Sequence, residues 1–185
     1  MIVIGITGTL GSGKGTIVDY LVSKKGFEHY SVRAYLIEII REKGLPVNRD
    51  SMVVVANDLR KQNSPSFIID ELYKQAVKIG KNCIIESIRT VGEIESLRQK
   101  GSFFLFAVDA DPRIRYQRIF ERRSETDMID YETFLENEKR EMRTRDPNKQ
   151  NLQKCIKKAD FVLNNNGSFE DLHRQIDAIL LKIEL

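Results

Sequence analysis

Apolar positions along this chain follow two rhythms, and the alternation between them outlines the fold. Residues 2–7, Ile2-Val3-Ile4-Gly5-Ile6-Thr7, form a continuous apolar run that reads as a buried parallel strand. Apolar residues then recur at 17, 18, 21 and 22, one face of a helix that Gly26 stops. Residues 27–32 read as a second short strand, and 33–43 as a helix with apolar positions 36, 39 and 40, closed by Gly44 and Pro46. Asp50 or Ser51 is the expected cap of a helix through 52–60. Ser64-Pro65 reads as cap and first helical residue for 65–79, with Gly80 as the stop. Cys83-Ile84-Ile85 is a buried strand, 93–100 a short helix, and 103–108 the strongest strand in the chain. Asp111-Pro112 opens an arginine-rich helix that Ser124-Glu125-Thr126-Asp127 interrupts, and a second helix spans roughly 130–142. Residues 159–163 form the last strand, and Ser168 caps a C-terminal helix with Glu170 and Asp171 in its first turn. Strands alternating with helices predict an α/β protein with a parallel sheet.

The turn between the first strand and first helix is Gly8-Thr9-Leu10-Gly11-Ser12-Gly13-Lys14-Gly15-Thr16. Strand, glycine-rich loop and helix are the setting a phosphate-binding (Walker A) loop requires. Glycines let backbone N–H groups turn inward as an anion nest, and the helix N-terminus adds partial positive charge. Lys14 is then a mobile point charge for β- and γ-phosphates, and Gly15 separates it from the hydroxyl of Thr16.

Composition narrows the class without choosing the chemistry. The chain has 185 residues, enough for one domain, with a net charge of +3, too small to argue for nucleic acid by itself. Two distant cysteines and two histidines suggest neither a disulfide framework nor a histidine metal centre. No run approaches membrane-spanning length and the apolar N-terminus is too short for a signal peptide, so the expected location is cytoplasmic, with no membrane partner.

In open parallel sheets, ligands bind beyond the carboxyl ends of the strands. Glu86 and Asp109 end two strands and are therefore expected near the phosphate loop; for Asp109, capping of the next helix is the competing role. Arg115, Arg118 and Arg122 share one helical stripe, either a solvated face or, with the break and the returning helix, a lid over polyphosphate, whose lid region is expected at 122–150. Residues 33–80 exceed what a crossover needs and are either packing bulk or an acceptor-holding insertion.

Taken together, these motifs resemble the nucleoside-monophosphate-kinase family of P-loop proteins along nearly the whole chain. The GxxGxGKGT loop is similar to that of adenylate kinase and its relatives. Glu86-Ser87-Ile88-Arg89-Thr90 resembles the family's acid-glycine-aromatic-proline-arginine-threonine segment, without its glycine and proline and one residue shorter. Ala159-Asp160-Phe161-Val162-Leu163-Asn164-Asn165-Asn166-Gly167 resembles the ending of dephospho-CoA kinases. The resemblance implies a three-layer P-loop fold with a five-stranded parallel sheet, a helical acceptor-binding insertion and an arginine-rich lid. It implies ATP and Mg²⁺ as cofactors. ATP would be held by Gly8, Leu10, Gly11, Ser12, Gly13, Lys14, Gly15, Thr16, Arg118, Asn166 and Gly167. Lys14, Glu86 and Arg122 would be catalytic, Thr16 and Glu86 would hold the metal directly or through water, and Arg33, Arg60 and Arg89 would bind the acceptor. The family's usual acceptor arginine after the second strand is Ile37 here, and the aspartate pair of dephospho-CoA kinases is missing.

The expected activity is ATP-dependent phosphoryl transfer to a small acceptor, foremost a (deoxy)nucleoside monophosphate. The alternatives are a dephospho-CoA-kinase-like activity and a nucleotide-binding regulatory domain without turnover. A nucleic-acid partner is not expected, because the arginine stripe carries few aromatics beyond Tyr116 and Phe120.

Overall fold

A computed structural model describes residues 1–123 and 128–184. Five strands, β1 (Val3–Gly8), β2 (Glu28–Ser31), β3 (Cys83–Glu86), β4 (Phe103–Asp109) and β5 (Phe161–Asn164), form one sheet in the order β2-β3-β1-β4-β5. Every pairing is parallel, and Ile6 of β1 lies opposite both Glu86 and Phe106. The expected five-stranded parallel sheet is present.

The apolar runs are continuous because the sheet is covered on both faces. On one face, α1 (Lys14–Lys25) and α9 (Phe169–Lys182) pack over Ile4, Ile6, Ile84, Phe106 and Val108. On the other, α2 (Val32–Glu42), α3 (Arg49–Gln62), α4 (Phe67–Ile79) and α5 (Val91–Arg98) cover Val3, Ile85, Phe103 and Leu105. Three further helices, α6 (Pro112–Arg122), α7 (Tyr131–Met142) and α8 (Leu152–Lys157), follow β4. Tyr116 of α6 meets Tyr131 and Phe134 of α7, with ring centroids 5.1 and 5.7 Å away. Cys83 and Cys155 are free and buried; burial pushes their thiols up to about 11 and about 12, so both stay protonated.

Several element ends differ from the sequence reading. The cap of α3 is Asn48, whose side chain accepts from the Ser51 amide, not Asp50 or Ser51. The helix expected from Pro65 begins at Phe67, because Pro65 sits in a turn whose carbonyl accepts from the Thr90 hydroxyl. The helix expected from Glu93 starts at Val91, where Thr90 and Glu93 form a capping box. Val32 belongs to α2 rather than to the second strand. Asp111 and Ser168 cap their helices as read. The break at Ser124–Asp127, and with it part of the 122–150 lid region, lies outside the described residues.

Candidate active site

The site is built at the carboxyl ends of β1 and β3. Gly13 caps α1 with φ 102°, a left-handed value that disfavours side chains, and a Cβ there would lie 2.0 Å from the Asn165 amide nitrogen. A Cβ on Gly11 would lie 2.4 Å from the Arg115 carbonyl oxygen. Neighbouring backbone and side chains thus clasp the loop from outside and keep it closely curled. Asn165 donates to the Ser12 carbonyl at 2.9 Å, and the Thr9 hydroxyl donates to Asp109 at 2.7 Å. Asp109 therefore secures the start of the loop.

Lys14 Nζ lies back against that loop, donating to the carbonyls of Gly8 at 3.1 Å and Thr9 at 2.8 Å. Desolvation, aided by the nearby Arg89 charge, lowers its pKa to about 7. Glu86 ends β3 and accepts from the Ser31 hydroxyl at 2.9 Å, with His29 Nε2 at 3.7 Å. Burial alone would raise its carboxyl, but the nearby His29 imidazole, the Ser31 hydrogen bond and the Lys14 charge outweigh it, leaving Glu86 below the ordinary carboxylate value. Ser87 follows at φ 66°. It occupies the left-handed turn where the resembling motif has glycine, which explains why a glycine suits that position.

Lys14 and Glu86 open into a cavity of about 550 Å³. Gly11, Gly13, Gly15 and Thr16 line one side, and Arg118 and Arg122 of α6 overhang it. Arg118 Nη2 donates to the Asn165 carbonyl at 2.9 Å, while its Nη1 is buried without a hydrogen-bond partner among the described residues. On the other side, Val32, Leu36, Met52, Val53 and Ala56 form an apolar wall beside Arg33, Arg49 and Arg89. Seven cations (Lys14, Arg33, Arg49, Arg60, Arg89, Arg118, Arg122) and three acids (Asp19, Glu86, Glu141) line the cavity, a formal net of +4. Such a cleft concentrates anions.

Several residues have partners or positions that the sequence reading does not anticipate. Arg60, expected to grip the acceptor, is 2% exposed and donates through Nε and Nη2 to Glu93 at 3.1 and 2.8 Å. Glu93 offsets its charge from outside the lining, while Arg60 itself lines the cavity. Gly8, Ser12, Asn166 and Gly167 lie outside the cavity lining; Asn166 accepts from the Asp111 amide at 2.7 Å, and the neighbouring Asn165 lines the cavity. Arg115 is buried, donating to Ala110 and Leu10 carbonyls at 2.7 and 3.2 Å and bonded to Glu138, so of the expected stripe only Arg118 and Arg122 line the cavity.

The residue that sequence reasoning missed is Glu141 of α7. It is 3% exposed and bonds to both Arg49 and Arg89, the latter at 2.6 Å. Burial opposes its charge, but Arg89 and then Arg49 outweigh burial and hold the carboxyl below its ordinary value. Arg49 was equally unremarked. No local pattern singles out either residue: both sit among other charged residues on exposed-looking helices, and 92 positions separate them.

A family model described as an AAA domain matches residues 4–146, the span from β1 to beyond α7. The chain belongs to the AAA_18 family. A UPF0200 protein of Pyrobaculum aerophilum is 28% identical to this AAA_18 protein over 183 residues, covering 98% of each chain. A UPF0200 protein of Methanocaldococcus jannaschii is 28% identical over 186 residues, covering 99% of this chain and 91% of that one. Among solved structures, TT1252 from Thermus thermophilus matches with a TM-score of 0.61 and 23% identity, covering 98% and 97% of the two chains. Shikimate kinase from Bacteroides thetaiotaomicron matches with a TM-score of 0.59 and 11% identity, covering 100% and 99%. At these identities the likeness is one of fold. The AAA_18 chain has a P-loop kinase-like α/β architecture. None of its described helices is long and apolar enough to cross a membrane.

Proposed function

We propose that this protein transfers the γ-phosphoryl group of ATP to a small acceptor, with a (deoxy)nucleoside monophosphate as the favoured class. The observation that carries the reading is the single cavity shared by the phosphate loop and the Arg49–Arg89 pair, with a net positive lining. Phosphoryl transfer is chiefly positioning and charge stabilisation, and these residues supply both.

The curled loop and Lys14 would hold the β- and γ-phosphates. Thr16 and Glu86 are a hydroxyl and an ionised carboxylate at the same cavity, the hard-oxygen set that suits Mg²⁺ completed by water and substrate phosphates. When bound, Mg²⁺ would neutralise charge on the transferring group. Arg118, with a buried nitrogen lacking a partner among the described residues, and Arg122 fit the ATP side of the cavity. Arg89, Arg49 and Arg33 fit an anionic acceptor, whose phosphate would replace the Glu141 carboxylate between the first two. For a hydroxyl acceptor, as in dephospho-CoA, Glu86 would serve as base.

The pairing of Glu141 with both arginines favours one second reading: a regulatory module that binds nucleotide without turnover. Coupled ADP release separates the two, using ATP and Mg²⁺ against ribo- and deoxynucleoside monophosphates, nucleosides and dephospho-CoA. Activity with a monophosphate that is lost in a folded Lys14→Met variant supports the kinase. Silence across the panel, with ATP still bound, supports the regulatory module. Unimpaired transfer by Lys14→Met would refute the assignment of Lys14.

A further inference from the structure

A second cavity of about 590 Å³ lies behind the acceptor side of the first, and the two share no lining residue. Its wall comes from the first turn of α5, the 144–151 loop and α8. Arg145, Lys149, Lys154, Lys157 and Lys158 face two acids, Glu95 and Asp146, a formal net of +3. Lys158 pairs with Glu95 at 3.6 Å and Lys149 with Asp146 at 4.0 Å. Arg145, Lys154 and Lys157 have no acid within 4.0 Å among the described residues.

That concentration of charge is not a property of the whole surface. The chain carries +3 in total, while the two cavities carry +4 and +3, so the remainder is net acidic at −4. Like charges crowded on one wall repel each other unless an anion offsets them. The volume is within the range of small-molecule sites, the size of a nucleotide rather than of a long polymer track.

The partition between the cavities is a pair of adjacent residues. Gln150 lines the first and accepts from Arg89 Nη1 at 3.1 Å. Asn151 lines the second, and its amide donates to the Arg89 carbonyl at 2.8 Å. The Asn151 side chain also donates to Thr144 and accepts from the Lys154 amide, at 2.8 and 3.1 Å. One residue therefore ties two walls of the second cavity to the backbone of Arg89.

We infer that the second cavity binds a small polyphosphate anion of the nucleoside di- or triphosphate class, on a wall that Asn151 ties to the backbone of Arg89. The site does not depend on the kinase reading.

The test counts equivalents of inorganic tripolyphosphate bound by the full chain, using isothermal titration at 150 mM salt so that diffuse surface attraction is screened. Wild type should bind two equivalents. Lys14→Met and the double variant K154E/K157E should each retain one, and K154Q/K157Q should weaken the second site at least tenfold. Both lysines are exposed, and unchanged circular dichroism and melting confirm that the variants fold. One equivalent in wild type, or two in folded K154E/K157E, overturns the inference. So does a short single-stranded oligoribonucleotide that binds wild type and not K154E/K157E while tripolyphosphate binds only once, since the partner would then be a nucleic acid.

Discussion

Nucleotide binding should take up a proton at Lys14. Its amine lies against two backbone carbonyls, desolvated and near Arg89 and Arg49, and its pKa is about 7. An amine of that pKa is about nine-tenths neutral at pH 8 and about one-tenth neutral at pH 6. A polyphosphate in the loop adds anionic oxygens beside it and restores the charged form. The sign follows from linkage: the complex holds more protons than the free protein across this window, so affinity falls as pH rises. Uptake should be about 0.9 proton at pH 8, and affinity for ATP should drop about tenfold from pH 8 to pH 9, about 1.4 kcal/mol. Isothermal titration at pH 8 in two buffers of different ionisation enthalpy reads the uptake directly, because ATP itself is already fully ionised there. Lys14→Arg keeps its proton at every pH in this range and should abolish the buffer dependence wherever it still binds. Saturable binding by wild type with uptake below about 0.3 proton at pH 8 would refute the reasoning.

Other perturbations test the supporting structure. Glu93→Ala should leave Arg60 as a buried, unpaired cation and cost about 3–5 kcal/mol, read as a lower urea midpoint; a loss under about 1 kcal/mol would show that water reaches the guanidinium. Gly13→Ala should both strain the left-handed cap and collide with Asn165, costing at least about 1–3 kcal/mol and weakening ATP binding in parallel. Ser87→Gly should relieve a left-handed side chain and raise stability by about 1 kcal/mol at most, measured by denaturant unfolding; destabilisation would mean that the Ser87 side chain matters more than its backbone. Glu86 and Glu141 both have folded-state pKa values below the ordinary 4.5. The stability they add is fully present above that value and is lost as pH falls through their lower folded values, so Glu141→Gln should flatten the acid limb of stability against pH.

Local chemistry made the phosphate loop readable, because its meaning lies in nine consecutive residues between a strand and a helix. The same holds for Asp111-Pro112 and Ser168, whose capping partners are two or three residues away. Glu86 was legible from its place at a strand end, since a parallel sheet sends such residues toward the ligand. The boundary errors at Asp50, Ser51 and Pro65 arose where several polar residues compete for one cap and only the packed turn selects among them.

The arginines mark the limit of the sequence. Arg60, Arg89, Arg115 and Arg118 are chemically identical in the chain, and two of them, Arg60 and Arg115, are buried against internal partners. Their roles depend on which carboxylate or carbonyl the fold delivers: Glu93 to Arg60 across 33 residues, Glu138 to Arg115 across 23, and Glu141 to Arg89 across 52. The second cavity likewise exists only because α8 and the 144–151 loop close against α5. A linear pattern specifies the periodicity that buries a face and the short motifs that turn a backbone. Which charges are neutralised, and which are left facing a cavity, is decided by tertiary packing, because Coulomb energy and desolvation depend on distances in space rather than on separation along the chain.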